Sequence, residues 1–224
     1  MRQKQHHLIT ATAGFTVAEL LVGSVLGVIV ILAGGFVLST NLSTDRRVAE
    51  LSKQRNQLNL ALEFISSEIR RSRRIVLNTD LTASTQCRNS NRQPILSLEV
   101  PKESGGFHTI TYAVQPIASN HIWQGPHAIY RCGPSFTSDG RYTENSSQQA
   151  DVLLDGIASQ ADLNAAVEAC AELATTRRSS HTAAVHAELL ESQRLASLLI
   201  GLVVHPNRGE QQVICDSRLV TPRS

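Results

Sequence analysis

The chain has 224 residues and a formal net charge of +2, a length for one ordinary globular domain plus an anchor and a charge too small to imply nucleic acid. Its apolar content is that of a folded protein, which excludes wholesale disorder. Aromatics make up 4% of the chain, too few for a single-strand stacking surface.

The first stretch, residues 1–14 (MRQKQHHLITATAG), is polar, with Arg2 and Lys4 as its charges. Basic residues ahead of a membrane helix stay on the cytoplasmic side, so whatever follows the helix is expected outside. An ordinary secretory signal is cut after its apolar stretch, at a small-x-small site. Here the distinctive residues stand before that stretch: Gly14-Phe15-Thr16-Val17-Ala18-Glu19. From Leu20 to Leu38 no charge occurs and nothing is more polar than Ser24. At 1.5 Å per residue such a helix is about as long as a bilayer core is thick, roughly 30 Å. Gly23 and Gly27 form a G-x-x-x-G pattern within it, a spacing that lets membrane helices approach closely. A carboxylate at the edge of an apolar helix is costly to bury unpaired, which makes Glu19 a functional candidate.

After the polar stretch 39–44, Val48, Leu51, Leu58, Leu62, Ile65 and Ile69 recur in steps of three and four, with Arg55 in one skipped position. That is one apolar stripe on a helix. No proline or glycine stands between Thr40 and Asn78, so the pattern predicts one helix from about Phe15 to about Leu77, membrane-embedded first and amphipathic later. Its stripe requires a covering layer, for which a β-sheet is the usual solution. Strands are predicted at Ile95–Val100, His108–Val114, Ala128–Arg131 and Val152–Leu154. Between Ala161 and Arg194 the spacing reads as helical: Leu163, Val167, Cys170 and Ala174 share one face, as do Val185, Leu189 and Ala196, with a break near 175–180. Leu198–Val204 and Gln211–Val220 flank His205-Pro206-Asn207-Arg208-Gly209, which predicts a closing hairpin.

All four cysteines, Cys87, Cys132, Cys170 and Cys215, follow the apolar run, where an exported domain can oxidise them. No C-x-x-C spacing suggests zinc or thioredoxin-like chemistry. Pairing neighbours, Cys87 with Cys132 and Cys170 with Cys215, closes two loops of similar length. Four cysteines allow three connectivities, and spacing leaves the choice open.

The segment Gly14–Glu19 leading into Leu20 closely resembles the prepilin cleavage and methylation motif of type IV pilins and type II secretion pseudopilins. The resemblance implies that a prepilin peptidase cuts between Gly14 and Phe15 and methylates the new N-terminus at Phe15. It also implies that Glu19 of one subunit meets the N-terminal amine of a neighbour during assembly. Ala18 stands where the family usually has a larger aliphatic residue. Gly34-Gly35 and Phe36 occupy the region where major pilins often carry a helix-breaking proline. The inner stretches ALEFISSEIRRSRRI, ITYAV, WQGPHAIYRCGP and VLLDGI look like PilW-type minor pilins, and GspJ-type pseudopilins have a similar layout. The implied fold is α+β, a long N-terminal helix on an antiparallel sheet. Its expected parts are a leader (1–14), a transmembrane helix (15–38), an amphipathic continuation (39–78) and an extracytoplasmic globular domain (79–224). The implied partners are prepilin peptidase, other pilins or pseudopilins and, before assembly, the inner membrane.

Other chemistry has little support. No Walker A loop, G-x-S-x-G elbow or H-E-x-x-H motif is present, so neither an enzyme nor a cofactor is expected. His6 and His7 fall in the leader; His181 and His186 fall on the predicted helical insert, where a solvated face is a better reading than a metal site. Arg70, Arg71, Arg73 and Arg74 form a basic cluster, the one feature that would suit a DNA-uptake pilin. They also suit a helix C-terminus, whose dipole favours cations.

Overall fold

The computed structural model describes residues 16–77, 91–118, 120–144, 146–165, 170, 183–190, 195–207 and 210–222. The chain divides into two compact units, one up to Arg46 and one from Arg47 onward. A single helix, α1 (Val17–Arg71), belongs to both.

In the first unit the helix from Val17 to Phe36 is long and apolar enough to cross a membrane, and none of it is buried against protein. Large apolar side chains such as Leu20, Val25, Ile31 and Phe36 lie bare along it. Water gives such a helix no reason to stay solvated, because each exposed Leu or Val forgoes about 1.5–3 kcal/mol of burial.

In the second unit α1 supplies one face of the core. Leu58, Leu62, Ile65 and Ile69 are at most 2% exposed, and Leu51 packs against them partly buried. The stripe is shorter than the spacing predicts, since Val48 is 59% exposed and the core begins at Leu51. The helix also stops at Arg71 rather than near Leu77. Ser72 ends it: its N–H and its hydroxyl both donate to the Ile69 carbonyl, at 3.0 and 2.7 Å. Arg73 N–H then donates to the Glu99 carbonyl at 2.8 Å, and β1 (Arg74–Leu77) joins the sheet. Ile75 and Val76 are β-branched and pack better on a pleated surface than in a helix, and a neighbouring strand was available to pair them.

The remaining strands are β2 (Gln93–Pro101), β3 (Phe107–Pro116), β4 (His127–Gly133), β5 (Gln149–Ile157), β6 (Val185–Leu190), β7 (Leu195–Asn207) and β8 (Glu210–Val220). All pair antiparallel in the order β1-β2-β3-β4-β5-β7-β6, with β8 also on β7. The register sets Ile75 opposite Leu98 and Leu98 opposite Ile110, so one sheet face carries an unbroken apolar row toward α1. Gly105 and Gly106, both at positive φ, make the β2–β3 turn, a conformation that side-chain-bearing residues seldom adopt. This is an α+β architecture.

Of the one or two short helices expected from about Ala161 to Arg194, the described residues show the short α2 (Gln160–Ala165), whereas Val185–Leu190 forms strand β6 and Ala196 lies in β7. Residues 166–169, 171–182 and 191–194 lie outside the described residues. The misreading has a plain cause. Residues four apart, such as Val185 and Leu189, share a face in a helix and in a strand alike. Ala187 between them decides: it packs on the same core, which is period two.

Candidate functional site

The N-terminal signal begins at the edge of what is described. Gly14 and Phe15 lie outside the described residues, as do His6 and His7. Thr16 and Glu19 are placed, and they close the first turn on each other. The Thr16 N–H and hydroxyl donate to Glu19 Oε2 at 2.9 and 3.0 Å, and the Glu19 N–H donates to the Thr16 hydroxyl at 3.3 Å. This is a T-x-x-E capping box, which satisfies amides that a helix start leaves orphaned. Its signal stood in the sequence as Thr16-Val17-Ala18-Glu19 and is independent of any assembly role. At Gly23 and Gly27 an added Cβ would meet nothing within 4 Å, so both present bare backbone outward.

Of the four cysteines, Cys170 and Cys215 form a disulfide with Cα atoms 5.6 Å apart. It ties the segment after α2 to β8, beside Ala158, Ala184, Val203 and Val213. Cys132 on β4 is also disulfide-bonded; Cys87 lies outside the described residues.

The second unit is organised around a buried charge that the sequence reading missed. Glu68, on α1, is 1% exposed. Its carboxylate accepts from Arg131 Nη2 at 2.8 Å and Nε at 3.1 Å, from the Tyr142 hydroxyl at 3.0 Å, and from the Tyr112 hydroxyl. Arg131 Nη1 donates to the Pro134 carbonyl at 3.0 Å, and the guanidinium lies 4.7 Å from the Phe136 ring centroid. Burial and the Glu68 charge push the Tyr112 and Tyr142 hydroxyls well up. Burial alone would lower the Arg131 guanidinium, but the Glu68 hydrogen bonds and charge outweigh it and hold it up. Arg131 is thereby held charged beside two neutral phenols, and the cluster fastens the helix to β3, β4 and the segment that follows β4. Sequence spacing gives Glu68 away only weakly, as an acid between the stripe positions Ile65 and Ile69.

The arginine cluster is dispersed by the end of the helix. Arg70 pairs with Glu63 at 2.7 Å, and Glu63 also receives Arg218 at 2.7 Å. Arg71 donates to the Gly140 carbonyl, Arg73 lies over the Phe107 ring, and Arg74 faces Glu99 at 3.8 Å. Beyond the helix end a cleft of about 750 Å³ opens among Val100, Pro101, Lys102, His108 and Tyr142. His186 lies on β6 with Nε2 3.7 Å from Glu188; His181 lies outside the described residues. Among the described residues no group of His, Cys, Asp and Glu could hold a metal ion.

No protein-family model matches the chain, and no curated protein and no solved structure matches it either.

Proposed function

We propose that the chain is a minor type IV pilin of the PilW kind, with a pilin fold. In this reading it spans the inner membrane once, with the leader cytoplasmic and the globular domain outside. Prepilin peptidase removes residues 1–14 and methylates Phe15, and the trimmed subunit enters or primes a pilus beside other pilins. One observation carries the reading. A single helix of 55 residues starts as a bare apolar rod and ends as the core face of an α+β unit. Such a rod must be covered by lipid first, and by other helices if the subunit is to leave the membrane. The disulfide between Cys170 and Cys215 agrees with an oxidising compartment outside the cytoplasm.

The capping box supplies the test. Glutamine caps nearly as glutamate does, so Glu19→Gln keeps the Thr16 hydrogen bonds and removes only the charge, whereas Glu19→Ala removes both. If the carboxylate pairs with a neighbour's amine in a medium where unpaired charge is costly, both variants are cut normally and both fail to enter sheared pili. Normal incorporation of Glu19→Gln alongside loss for Glu19→Ala would reduce Glu19 to a helix cap. Mass spectrometry of assembled wild-type protein should find N-methylated Phe15; an intact Met1 there would sink the proposal.

A further inference from the structure

The last strand leaves one edge of the sheet open. β7 has β5 and β6 on one side and β8 on the other, and among the described residues no strand pairs with the far edge of β8. The ladder shows which groups point there. Gly201 of β7 donates its N–H to the Ala184 carbonyl at 2.8 Å, and its carbonyl accepts the Ala158 N–H at 2.9 Å, both on the side away from β8. Cys215 stands opposite Gly201, so this pair exchanges no hydrogen bonds, and alternate residues of an antiparallel strand share that orientation. The N–H and C=O groups of Val213 and Cys215 therefore face the open edge. Ser217 is next in the series, and its N–H donates to Asp216 Oδ1 at 2.8 Å, which closes the edge at that end.

The edge borders a groove of about 410 Å³, lined by the consecutive residues Gln212 to Asp216 and by Arg55, Leu58 and Asn59 of α1. Four strand steps of about 3.3 Å make this stretch of edge about 13 Å long. Two side chains in the groove lack their complements. Gln212 Oε1 is buried with no donor, whereas a buried acceptor normally has one. Arg55, the cation that interrupts the apolar stripe of α1, is exposed, and among the described residues it has no ion pair. Edge strands are usually blunted by lysine, proline or a bulge. β8 contains neither lysine nor proline, and its register on β7 is unbroken from Gln212 to Val220.

We propose that the Gln212–Asp216 edge of β8 receives an extended segment of a different protein, which adds to the sheet as a further strand and sets an Asp or Glu against Arg55. The main chain of the incoming segment bonds to Val213 and Cys215 and supplies affinity, while its side chains along α1 supply specificity. A second copy of this chain suits the site less well: pairing β8 with β8 would bring two Arg55 cations to one groove. In the filament reading the segment belongs to a neighbouring pilin of another kind. That assignment rests on the pilin reading; the strand addition itself does not.

The probe is a fluorescein-labelled heptapeptide of alternating valine and threonine with one central glutamate. Full-length protein in mild detergent is titrated against it by fluorescence anisotropy, and amide hydrogen exchange is followed across β8. Strand addition predicts saturable binding and slowed exchange within Gln212–Asp216. A twin peptide N-methylated on its edge-facing amides has no donors for the strand and should not bind. A twin with lysine in place of glutamate should bind about two- to fivefold more weakly, the worth of one exposed ion pair. That preference should reverse in Arg55→Glu, a change on an exposed helix position that leaves the core untouched. Four results overturn the proposal: no saturable binding; equal binding of the N-methylated twin, which would put the peptide on the detergent or on a side-chain patch; an unchanged preference in Arg55→Glu; or binding without slowed exchange in β8. No step requires cleavage at Phe15 or entry into pili, so this proposal and the pilin reading fail separately.

Discussion

Removing the Glu68 carboxylate should be among the most damaging single changes in the second unit. Glu68→Gln leaves Arg131 charged at 7% side-chain exposure with no counter-ion, and breaking a buried pair from one side costs about 3–5 kcal/mol. Domains are stable by only about 5–15 kcal/mol in total, so this is about a fifth or more of what holds the fold. For a unit of this size it corresponds to a fall in Tm of roughly 6 to 20 °C. Arg131→Met should cost a similar amount, because it strands Glu68. The double variant Glu68→Leu with Arg131→Met should recover much of the loss, since an apolar replacement of both partners is often neutral. It still leaves the Tyr112 and Tyr142 hydroxyls without their acceptor. The assay is guanidinium unfolding of the full chain in mild detergent, followed by circular dichroism, for the wild type, both single variants and the double. A Glu68→Gln loss under about 1 kcal/mol, the value of an exposed pair, or a double variant as unstable as the two singles added together, would refute the reasoning.

The Cys170–Cys215 bridge spans a sequence separation of 45, for which loop entropy gives about 4 kcal/mol. Cys170→Ser with Cys215→Ser should lower the guanidinium midpoint accordingly, and non-reducing peptide mapping should recover the Cys170–Cys215 peptide from exported protein. The same map tests the expected Cys87–Cys132 link. Stability should also fall with acidification below neutrality. Burial depresses the imidazole of His127, and burial with the nearby Lys102 depresses that of His108. Both are held neutral in the fold, whereas the unfolded chain takes up protons near pH 6.5. Their contribution is therefore complete above that pH and declines as pH drops through it; His127→Gln should flatten the midpoint between pH 7 and 5.5. At the surface Asp139, pulled down to about 2 by Thr137 and Arg141, should keep its carboxylate in a pH titration followed by NMR until well below the usual range of about 3.9.

Much of the frame was legible in the chain itself. The charge-free run after Glu19 and the steps of three and four through Ile69 determine a helix that is apolar all round at first and apolar on one face later. The strands at Ile95–Val100 and His108–Val114 and the closing pair β7–β8 were equally readable, since each alternates or is bounded by turn residues. The T-x-x-E cap was present in plain sight but overshadowed by the charge of Glu19.

Tertiary contacts decided the rest. Arg74–Leu77 left the helix because β2 offered a ladder to residues that prefer one. Val185–Leu190 became a strand because β7 pairs with it along its whole length, and a spacing of four cannot separate the two periods. Glu68 is an ordinary helix acid until Arg131, Tyr112 and Tyr142 are brought to it from positions 44 to 74 residues away. A charge can be buried only where several distant partners converge, and that convergence is a property of the folded sheet, not of any local stretch of sequence.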